Sequence, residues 1–231
     1  ALAIRLVFVT QWYATPYGDY PLIDADAYDK WAQEIAMGNL LRGQAFYQSP
    51  LYPYLLGLVY AILGHKIVIA SYLNALFSAL ICPLLFLITY RYFGILAAVI
   101  TGLLSAFYRP YIFFSAPIMK ESLGLLLIVL FMWRALSSIE KPTPRSAFIV
   151  GLTLGLASLA RGNLLLLGLA YLPSLCVGFK RQFIKLFVLF ASGIILAILP
   201  ATIHNAVVSK DFVPLTYNGG FNFYIGSSPG S

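Results

Sequence analysis

Residues 67–90 read IVIASYLNALFSALICPLLFLITY, and this uninterrupted apolar run decides the class of fold. The run carries no charged residue, and as a helix it is long enough to cross a hydrocarbon core of about 30 Å. Similar runs recur along the whole chain, which is 61% hydrophobic and only 10% charged. Inside a bilayer such runs must satisfy their own backbone hydrogen bonds, so the sequence predicts an all-α polytopic membrane protein.

The apolar runs predict about seven transmembrane helices. We place them at residues 1–14, 67–90, 94–108, 117–136, 147–160, 164–179 and 186–203. Both cysteines, Cys82 and Cys176, lie inside such runs and are interpreted as small hydrophobic residues. The chain starts within an apolar run and ends in a stretch rich in Ser and Gly. We therefore expect it to be an N-terminal fragment of a longer protein.

Two modules are predicted, a transmembrane module over residues 1–204 and the truncated start of an extracytoplasmic segment over residues 205–231. Residues 15–66 would form the first extracytoplasmic loop. This orientation puts the short basic clusters on the cytoplasmic side, as the positive-inside rule requires: Arg91, Arg134, Lys141, Arg145, Lys180, Arg181 and Lys185. The positive-inside rule favours this orientation only when Arg109, Lys120 and Arg161 are treated as site residues and left out of the count of Lys and Arg.

The first loop contains two helical segments that are too short to span. One apolar face is formed by Ala27, Tyr28, Trp31, Ala32, Ile35 and Ala36. The opposite, polar face is formed by Asp29, Lys30, Gln33 and Glu34. This periodicity predicts an amphipathic interfacial helix that stops at Gly38. A second segment, residues 51–63, stops at Gly64 and is expected to lie along the membrane surface or to re-enter it.

Residues 19–29 form an acidic island that holds Asp19, Asp24, Asp26 and Asp29, half of the eight acidic residues in the chain. With alternating spans, the same membrane face also carries Arg109, Lys120, Glu121, Arg161 and His204. Charged residues at membrane depth are costly and usually functional. Carboxylates combined with fixed cations suit an anionic lipid-phosphate substrate and a proton that must be removed.

The acidic island and the residues after it resemble a known family. The matching motifs are Asp24-x3-Tyr28-x3-Ala32-x5-Gly38 and residues 46–54, FYQSPLYPY. They resemble the first extracytoplasmic loop of GT-C-fold glycosyltransferases that use polyprenyl-phosphate sugars, such as dolichyl-phosphate-mannose protein mannosyltransferases and lipid A aminoarabinose transferases. Residues 151–161, GLTLGLASLAR, and 218–226, NGGFNFYIG, are similar to bacterial members. Many members place Glu directly after the first Asp, whereas here Ala25 follows Asp24 and the second acid is Asp26.

The resemblance implies an inverting glycosyltransferase in the cell membrane. A sugar would pass from a polyprenyl-phosphate donor to a lipid, glycan or protein acceptor at the extracytoplasmic face, as in protein glycosylation. Asp24 would be the general base, with Asp26 and Glu121 as further catalytic residues. The donor phosphate would be held by Arg109, Lys120, Arg161 and His204. No cofactor is assigned; Mg²⁺ or Mn²⁺ stays open because paired carboxylates offer the oxygen ligands that these ions prefer. No nucleic-acid partner is expected.

Simpler structural readings stay open for the charged residues. Asp24 and Asp26 could cap the interfacial helix, Glu121 could pair with Arg109, Arg161 could only end a helix, and His204 could cap the last span. A transporter or flippase for an anionic or lipid-linked substrate is the alternative function, and a lipid-linked glycan polymerase or ligase is a nearer one. The absence of an internal repeat and the gathering of charges at one interface favour the transferase.

Aromatic residues near the proposed site are expected to belong mainly to an interfacial belt. They are Tyr52, Tyr54, Tyr217, Phe221, Phe223 and Tyr224. The Asn218-Gly219-Gly220 run predicts a turn, followed by a short extended segment at residues 221–225.

Overall fold

The structure is a computed structural model that describes residues 1–178 and 182–227, without the side chains of residues 176–178, 220–223 and 225. Within these ranges the regular elements are helices, and no strand occurs. Three of the described helices are long and apolar enough to cross a membrane: Ile67–Phe107, Glu121–Glu140 and Phe183–Ser209. The all-α polytopic membrane fold is thereby confirmed, while the number of seven spans stays a prediction.

The helices in chain order are α1 Leu2–Trp12, α2 Pro16–Asp19, α3 Asp24–Ala36, α4 Leu51–Leu63, α5 Ile67–Phe107, α6 Arg109–Phe113, α7 Glu121–Glu140, α8 Pro144–Ala160, α9 Leu167–Gly178, α10 Phe183–Ser209 and α11 Asn218–Ser227. A 3₁₀ turn, Gly162–Leu166, joins α8 to α9. The chain divides into two compact units. The first unit comprises Ala1–Asn39 and Tyr52–Trp133, and the second comprises Leu40–Leu51 and Arg134–Ser231.

Helix α5 consists of two helical arms separated at Gly94. The backbone there has φ 82° and ψ −179°, a conformation that glycine adopts without steric cost. Arg5 of α1 contacts both arms, because its Nε donates to Ser78 Oγ at 2.7 Å and its Nη1 donates to the Ala106 carbonyl at 3.1 Å. Since Ser78 precedes the break and Ala106 follows it, the two arms fold back on each other. This agrees with the separate spans predicted at residues 67–90 and 94–108.

The Arg5 side chain is fully buried and makes two more contacts with the arms of α5. Its Nη2 donates to the Ser105 carbonyl at 3.3 Å and lies 3.5 Å from Cys82 Sγ. A buried guanidinium is tolerated when its donors are matched by acceptors, and here the acceptors are carbonyl, hydroxyl and thiol groups. Arg5 therefore joins α1 to both arms of α5.

Both predicted helix stops in the first loop are confirmed. Helix α3 ends at Ala36 and α4 ends at Leu63, and the glycines that follow, Gly38 and Gly64, have φ values of 92° and 80°. The two helices approach closely at Gly57, where a Cβ atom would lie 2.7 Å from the Cβ of Ile35. The α3–α4 pair is therefore tightly packed.

In the second unit, α8 and α10 pack through glycines. A Cβ atom at Gly151 would collide with the carbonyl oxygen of Phe190, and one at Gly155 would lie 2.6 Å from the Cβ of Ala197. From the other side, Gly193 lies directly against the backbone of α8 at Phe148. Small residues four apart let the two backbones touch, which is a common way to join helices in membranes.

The structure differs from the sequence-based expectation at three places. The extended segment predicted at residues 221–225 is wrong, since Asn218 starts helix α11 and its turn residues become the first helical turn. Tyr52 does not belong to an interfacial belt, because it is completely buried. Helix α10 continues past the predicted module boundary to Ser209, and the assignment of residues 205–231 to a separate segment stays a prediction.

Some predicted features lie outside the described residues. These are the basic residues Lys180 and Arg181 and the side chains of Cys176, Phe221 and Phe223.

Candidate functional site

Helix α3 begins with the two acids that were predicted to be catalytic. Asp24 is its first residue and is exposed, and Asp26 lies in the same turn and is half-buried. In the described part of the chain neither of them occupies the N-cap position, which is held by Ile23 without a side-chain cap hydrogen bond. Instead Asp26 Oδ2 pairs with Lys30 Nζ at 2.8 Å, an exposed i,i+4 contact that stabilises by only about 0.3–0.5 kcal/mol.

Asp29 is the buried acid of the island, with a residue exposure of 4%. The prediction that it faces solvent is therefore wrong. Its Oδ1 accepts a hydrogen bond from the Tyr60 hydroxyl at 2.7 Å, and its Oδ2 accepts one from Gln33 Nε2 at 2.6 Å. The His65 Nε2 lies 3.1 Å from Oδ2. These contacts compensate the loss of water around a buried carboxylate and tie α3 to α4 and to the segment that follows α4.

The error in placing Asp29 comes from the choice of the apolar face. The predicted face included Ala27, which is exposed, and it left out Ala25, which is buried. Asp29 lies four residues after Ala25 and three residues before Ala32, so it belongs to the same helical face as both. The structure buries both alanines, and Asp29 is buried with them.

The Tyr60 hydroxyl is held in its neutral, donating form. Burial raises the pKa of Tyr60, and the hydrogen bond to the Asp29 carboxylate raises it further. The phenol therefore stays protonated and continues to donate to Asp29 at physiological pH.

Lys120 lies beside α3, with its Nζ 5.9 Å from the centre of the Tyr28 ring. At about 100° per residue, Asp24 is only about 40° from Tyr28 around the helix, whereas Asp26 is about 160° away. Lys120 thus faces the side of α3 that carries Asp24. Asp26 points toward Lys30 instead, so the geometry separates the two candidate acids.

Glu121 is the first residue of α7 and has a buried oxygen, Oε2, without a hydrogen-bond partner among the described residues. The Oδ1 atom of Asn74 is likewise buried without a hydrogen-bond partner among the described residues. The Nδ2 atom of Asn74, in contrast, donates to the Tyr52 hydroxyl at 2.9 Å and to the Pro117 carbonyl at 2.8 Å. Buried acceptors of this kind are rare and call for a donor from outside the protein fold. No hydrogen bond or ion pair joins Glu121 to Arg109 within the residues the structure covers.

Tyr52 belongs to α4, and its hydroxyl accepts the hydrogen bond from Asn74. Burial raises the pKa of Tyr52, the hydrogen bond from Asn74 opposes this effect, and the nearby Glu121 carboxylate adds to it. The Tyr52 ring also contacts the Tyr28 ring edge-on, with centroids 5.5 Å apart. Glu121, Tyr52 and Tyr28 therefore belong to one buried cluster next to Lys120.

An apolar cleft of about 200 Å³ lies within the first unit. Its lining includes Leu22 and Ala25, which flank Asp24 in sequence, and Ile118 and Met119, which directly precede Lys120. The rest of its wall is largely aromatic, with Trp12, Tyr13, Tyr17, Tyr20, Phe113 and Phe114. The cleft suits an apolar group, and residues close in sequence to Asp24 and Lys120 line it.

His204 and Arg161 belong to the second unit. The His204 ring is buried and stacks on Phe46 with centroids 4.3 Å apart, and its Nε2 lies 3.3 Å from the Gln44 carbonyl. The neighbouring Asn205 accepts from the Phe46 backbone N–H at 2.8 Å, so both residues hold the same segment. Arg161 is exposed and ends α8 as its C-cap. Their assignment to the donor phosphate stays a prediction.

Arg109 is the first residue of α6 and is exposed. It borders an open apolar surface formed with Phe107 and Tyr108, where a long cationic side chain can reach the membrane interface. Its role toward a phosphate also stays a prediction. No group of three or more His, Cys, Asp or Glu that could hold a metal ion occurs in the described part of the chain.

Sequence reasoning missed several residues that organise the site. Arg5 and Asn74 are polar residues inside apolar runs, and this position is itself a signal of burial with specific partners. His65 and Asn205 carry no comparable local signal, since their partners lie far away in the sequence.

The comparison with protein families matches the greater part of the chain. Residues 47–204 match the family described as dolichyl-phosphate-mannose-protein mannosyltransferase. No curated protein and no solved structure matches. The matched range contains Lys120 and Glu121, whereas Asp24 and Asp26 precede it. Together with the membrane-spanning helices, this match shows that the chain belongs to the dolichyl-phosphate-mannose-protein mannosyltransferase family of GT-C-type glycosyltransferases.

Proposed function

We propose that this membrane protein transfers a sugar, with inversion, from a polyprenyl-phosphate donor to a hydroxyl group of a lipid, glycan or protein acceptor. The observation that carries the proposal is the placement of Lys120, directly before the partnerless Glu121, beside the face of α3 that carries Asp24. Family membership supports glycosyl transfer in general. The donor, the acceptor and the extracytoplasmic location of the reaction are part of the proposal.

Asp24 is the proposed general base. Its carboxylate is exposed and can receive the proton of the acceptor hydroxyl while the hydroxyl oxygen attacks the anomeric carbon. The new carbon–oxygen bond forms opposite the bond to phosphate, which breaks with its electron pair moving to the phosphate oxygen. Asp24 is preferred to Asp26, because Asp24 lies on the side of α3 that faces Lys120, whereas Asp26 faces away from it.

Lys120 and Glu121 are proposed to bind the two substrates. The Lys120 ammonium lies beside the Asp24 face and would stabilise the negative charge that grows on the departing phosphate. The partnerless Glu121 Oε2 would accept a hydrogen bond from a hydroxyl of the sugar or of the acceptor. The aromatic cleft would take up the apolar chain next to the donor phosphate.

A divalent metal ion would need oxygen ligands close together at this site. Asp24 and Asp26 lie on different sides of α3. In the described residues, neither they nor Glu121 belong to a group of three His, Cys, Asp or Glu that could hold a metal ion. The donor set therefore does not fit a metal held by the protein alone, and the proposed steps use only side chains.

The decisive experiment measures sugar transfer by the full-length protein from a panel of polyprenyl-phosphate sugars. Asp24→Asn should reduce the turnover number by about 10²- to 10⁴-fold, the usual contribution of a general base. Glu121→Gln should weaken transfer by about tenfold, because the amide still offers one acceptor oxygen. Glu34→Gln is the matched control, since it removes a carboxylate from the exposed side of the same helix and should leave transfer unchanged.

Two results would contradict the proposal. Full transfer by a well-folded Asp24→Asn protein would remove Asp24 from the reaction. Movement of a lipid-linked substrate across vesicles without any sugar transfer would favour the transporter alternative.

The orientation has a separate test by cysteine labelling. A cysteine at position 26 should react with an impermeant reagent added outside the cell, and one at position 143 should not. Labelling of position 143 alone from outside would reverse the topology and place the acidic island on the cytoplasmic side.

A further inference from the structure

A second cleft, of about 280 Å³, lies in the second unit where the end of α7 meets the start of α8. Its walls carry two arginines and a set of hydroxyl groups, namely Arg134, Arg145, Ser137, Ser138, Thr143 and Ser146. None of the described lining residues is acidic. This composition is unlike the aromatic cleft of the first unit and indicates a site for an anion.

The hydroxyl groups form a fixed frame before any ligand binds. Ser138 Oγ donates to Ser146 Oγ at 3.0 Å and lies 2.9 Å from the Tyr171 hydroxyl. Thr143 and Ser146 also bond reciprocally, each through its backbone N–H to the side chain of the other, which closes the first turn of α8. The walls of the cleft are thereby held in place, and a ligand would not have to order them.

The two arginines supply the charge. Both side chains are exposed, and Arg145 makes no ion pair with any described residue. Guanidinium groups present paired donors that match the oxygens of a phosphate. A phosphate lying between the two guanidinium groups would be attracted by both of them. Glu140, the acid nearest in sequence, does not line the cleft.

The position of Arg134 relates the cleft to the membrane surface. Arg134 lies six residues before the last residue of α7, which corresponds to about 9 Å along a helix that is long enough to cross the membrane. Apolar side chains accompany the arginines, since Ile149 lines the cleft and Ile139 is 40% exposed. A lipid could therefore place its phosphate in the cleft while its acyl chains stay in the bilayer.

We propose that this cleft binds a phosphate group between Arg134 and Arg145, supplied by an anionic phospholipid of the surrounding membrane. The site is separate from the proposed sugar-transfer residues and does not depend on their roles. Binding would fix the connection between α7 and α8 at the membrane surface.

The experiment measures thermal unfolding of the purified full-length protein in a neutral detergent. Phosphatidylglycerol, phosphatidylcholine and inorganic phosphate are added separately over the same concentration range. We expect phosphatidylglycerol to raise the unfolding temperature more than the other two. The Arg134→Gln, Arg145→Gln double variant should need about tenfold more phosphatidylglycerol for the same shift. Lys141→Gln is the matched control, because it removes a cation from the same connection without touching the cleft.

The possible outcomes separate the sources of the phosphate. An equal shift with inorganic phosphate that disappears in the double variant would support a phosphate site and overturn its lipid source. An unchanged lipid response in the double variant, or an equal loss in Lys141→Gln, would overturn the site itself. Should the double variant not fold, Arg145→Gln alone replaces it and is judged by the same criteria, since the side chain of Arg145 is exposed.

Discussion

The two units of the molecule join their helices by different means. In the first unit, polar side chains connect distant segments, as Arg5 does between α1 and both arms of α5 and Asp29 does between α3 and α4. In the second unit, α8 and α10 meet backbone to backbone at Gly151, Gly155 and Gly193. Lipid tails are as apolar as leucine, so neither unit can rely on hydrophobic exclusion between helices inside the bilayer.

The difference determines how each unit should respond to substitution. When one partner of a buried polar contact is changed, the cost is the lost hydrogen bond plus the desolvation of any group left without a partner. A conservative replacement can retain part of the contact. A backbone contact through glycine has no room for any side chain, so the smallest addition must separate the helices. The unit that carries Asp24, Lys120 and Glu121 contains the polar contacts of Arg5 and Asp29, together with one glycine contact at Gly57.

The largest effect is expected at the glycine contact of the second unit. Gly151→Ala should lower the free energy of unfolding by about 2–3 kcal/mol, because the new methyl group collides with the carbonyl oxygen of Phe190. Gly124→Ala in α7 is the matched control, since no atom outside its own helix backbone lies near the added methyl group. It should be neutral or stabilising by about 0.5–1 kcal/mol. Denaturant unfolding in bicelles measures both, and equal effects would contradict the backbone contact.

Arg5 tests the polar contacts of the first unit. Arg5→Met should cost about 2 kcal/mol, because the hydrogen bonds to Ser78 Oγ and to the Ala106 carbonyl are lost together. Arg5→Lys should cost less, since an ammonium can still serve some of these acceptors. The same unfolding assay applies. If Lys and Met are equally damaging, the planar fork of the guanidinium rather than its charge holds the arms of α5.

Asp29 provides a smaller effect that separates charge from hydrogen bonding. Asp29→Asn should cost about 1 kcal/mol, because the amide oxygen can still accept from the Tyr60 hydroxyl. A double-mutant cycle with Tyr60→Phe should give a coupling energy of about 0.5–1 kcal/mol. Zero coupling would mean that the two side chains do not interact. Asp29→Asn should also slow sugar transfer less than Asp24→Asn, since it changes the packing of α3 and not its exposed end.

The smallest effect is expected from alkaline pH. The folded-state pKa of Tyr60 lies above its unfolded value of about 10, so its contribution is complete below pH 10 and is lost as the pH rises toward the folded pKa. At pH 10 the loss from this group would be about 0.4 kcal/mol. Unfolding temperatures measured between pH 8 and pH 10.5 should fall less steeply in Tyr60→Phe. An identical slope would exclude Tyr60 as a source of the pH dependence.

Local signals in the sequence predicted the helix stops and the break at three glycines correctly. Gly38, Gly64 and Gly94 all adopt positive φ values where a stop or a break was expected, because this conformation is encoded by the glycine itself. The helix at residues 218–227 was missed because its local signal is ambiguous. The Asn218-Gly219-Gly220 run that predicts a turn is also compatible with a first helical turn.

The candidate site could be predicted only in part. Lys120 and Glu121 were recognised because charged residues next to an apolar run are unusual. The position of Lys120 beside Tyr28 of α3 depends on how distant helices pack, which no local pattern encodes. The burial of Asp29 likewise requires the partner helix that carries Tyr60.

The contacts of Arg5 also have a consequence for the order of events during biosynthesis. The Ala106 carbonyl that Arg5 binds is 101 residues further along the chain. At about 5–20 residues per second, a ribosome needs about 5–20 s to synthesise that length. During this interval the guanidinium can bond to the Ala1 carbonyl and later to Ser78, but the acceptors of the second arm are still missing. The contacts of α1 with α5 are therefore complete only after the second arm of α5 has been synthesised.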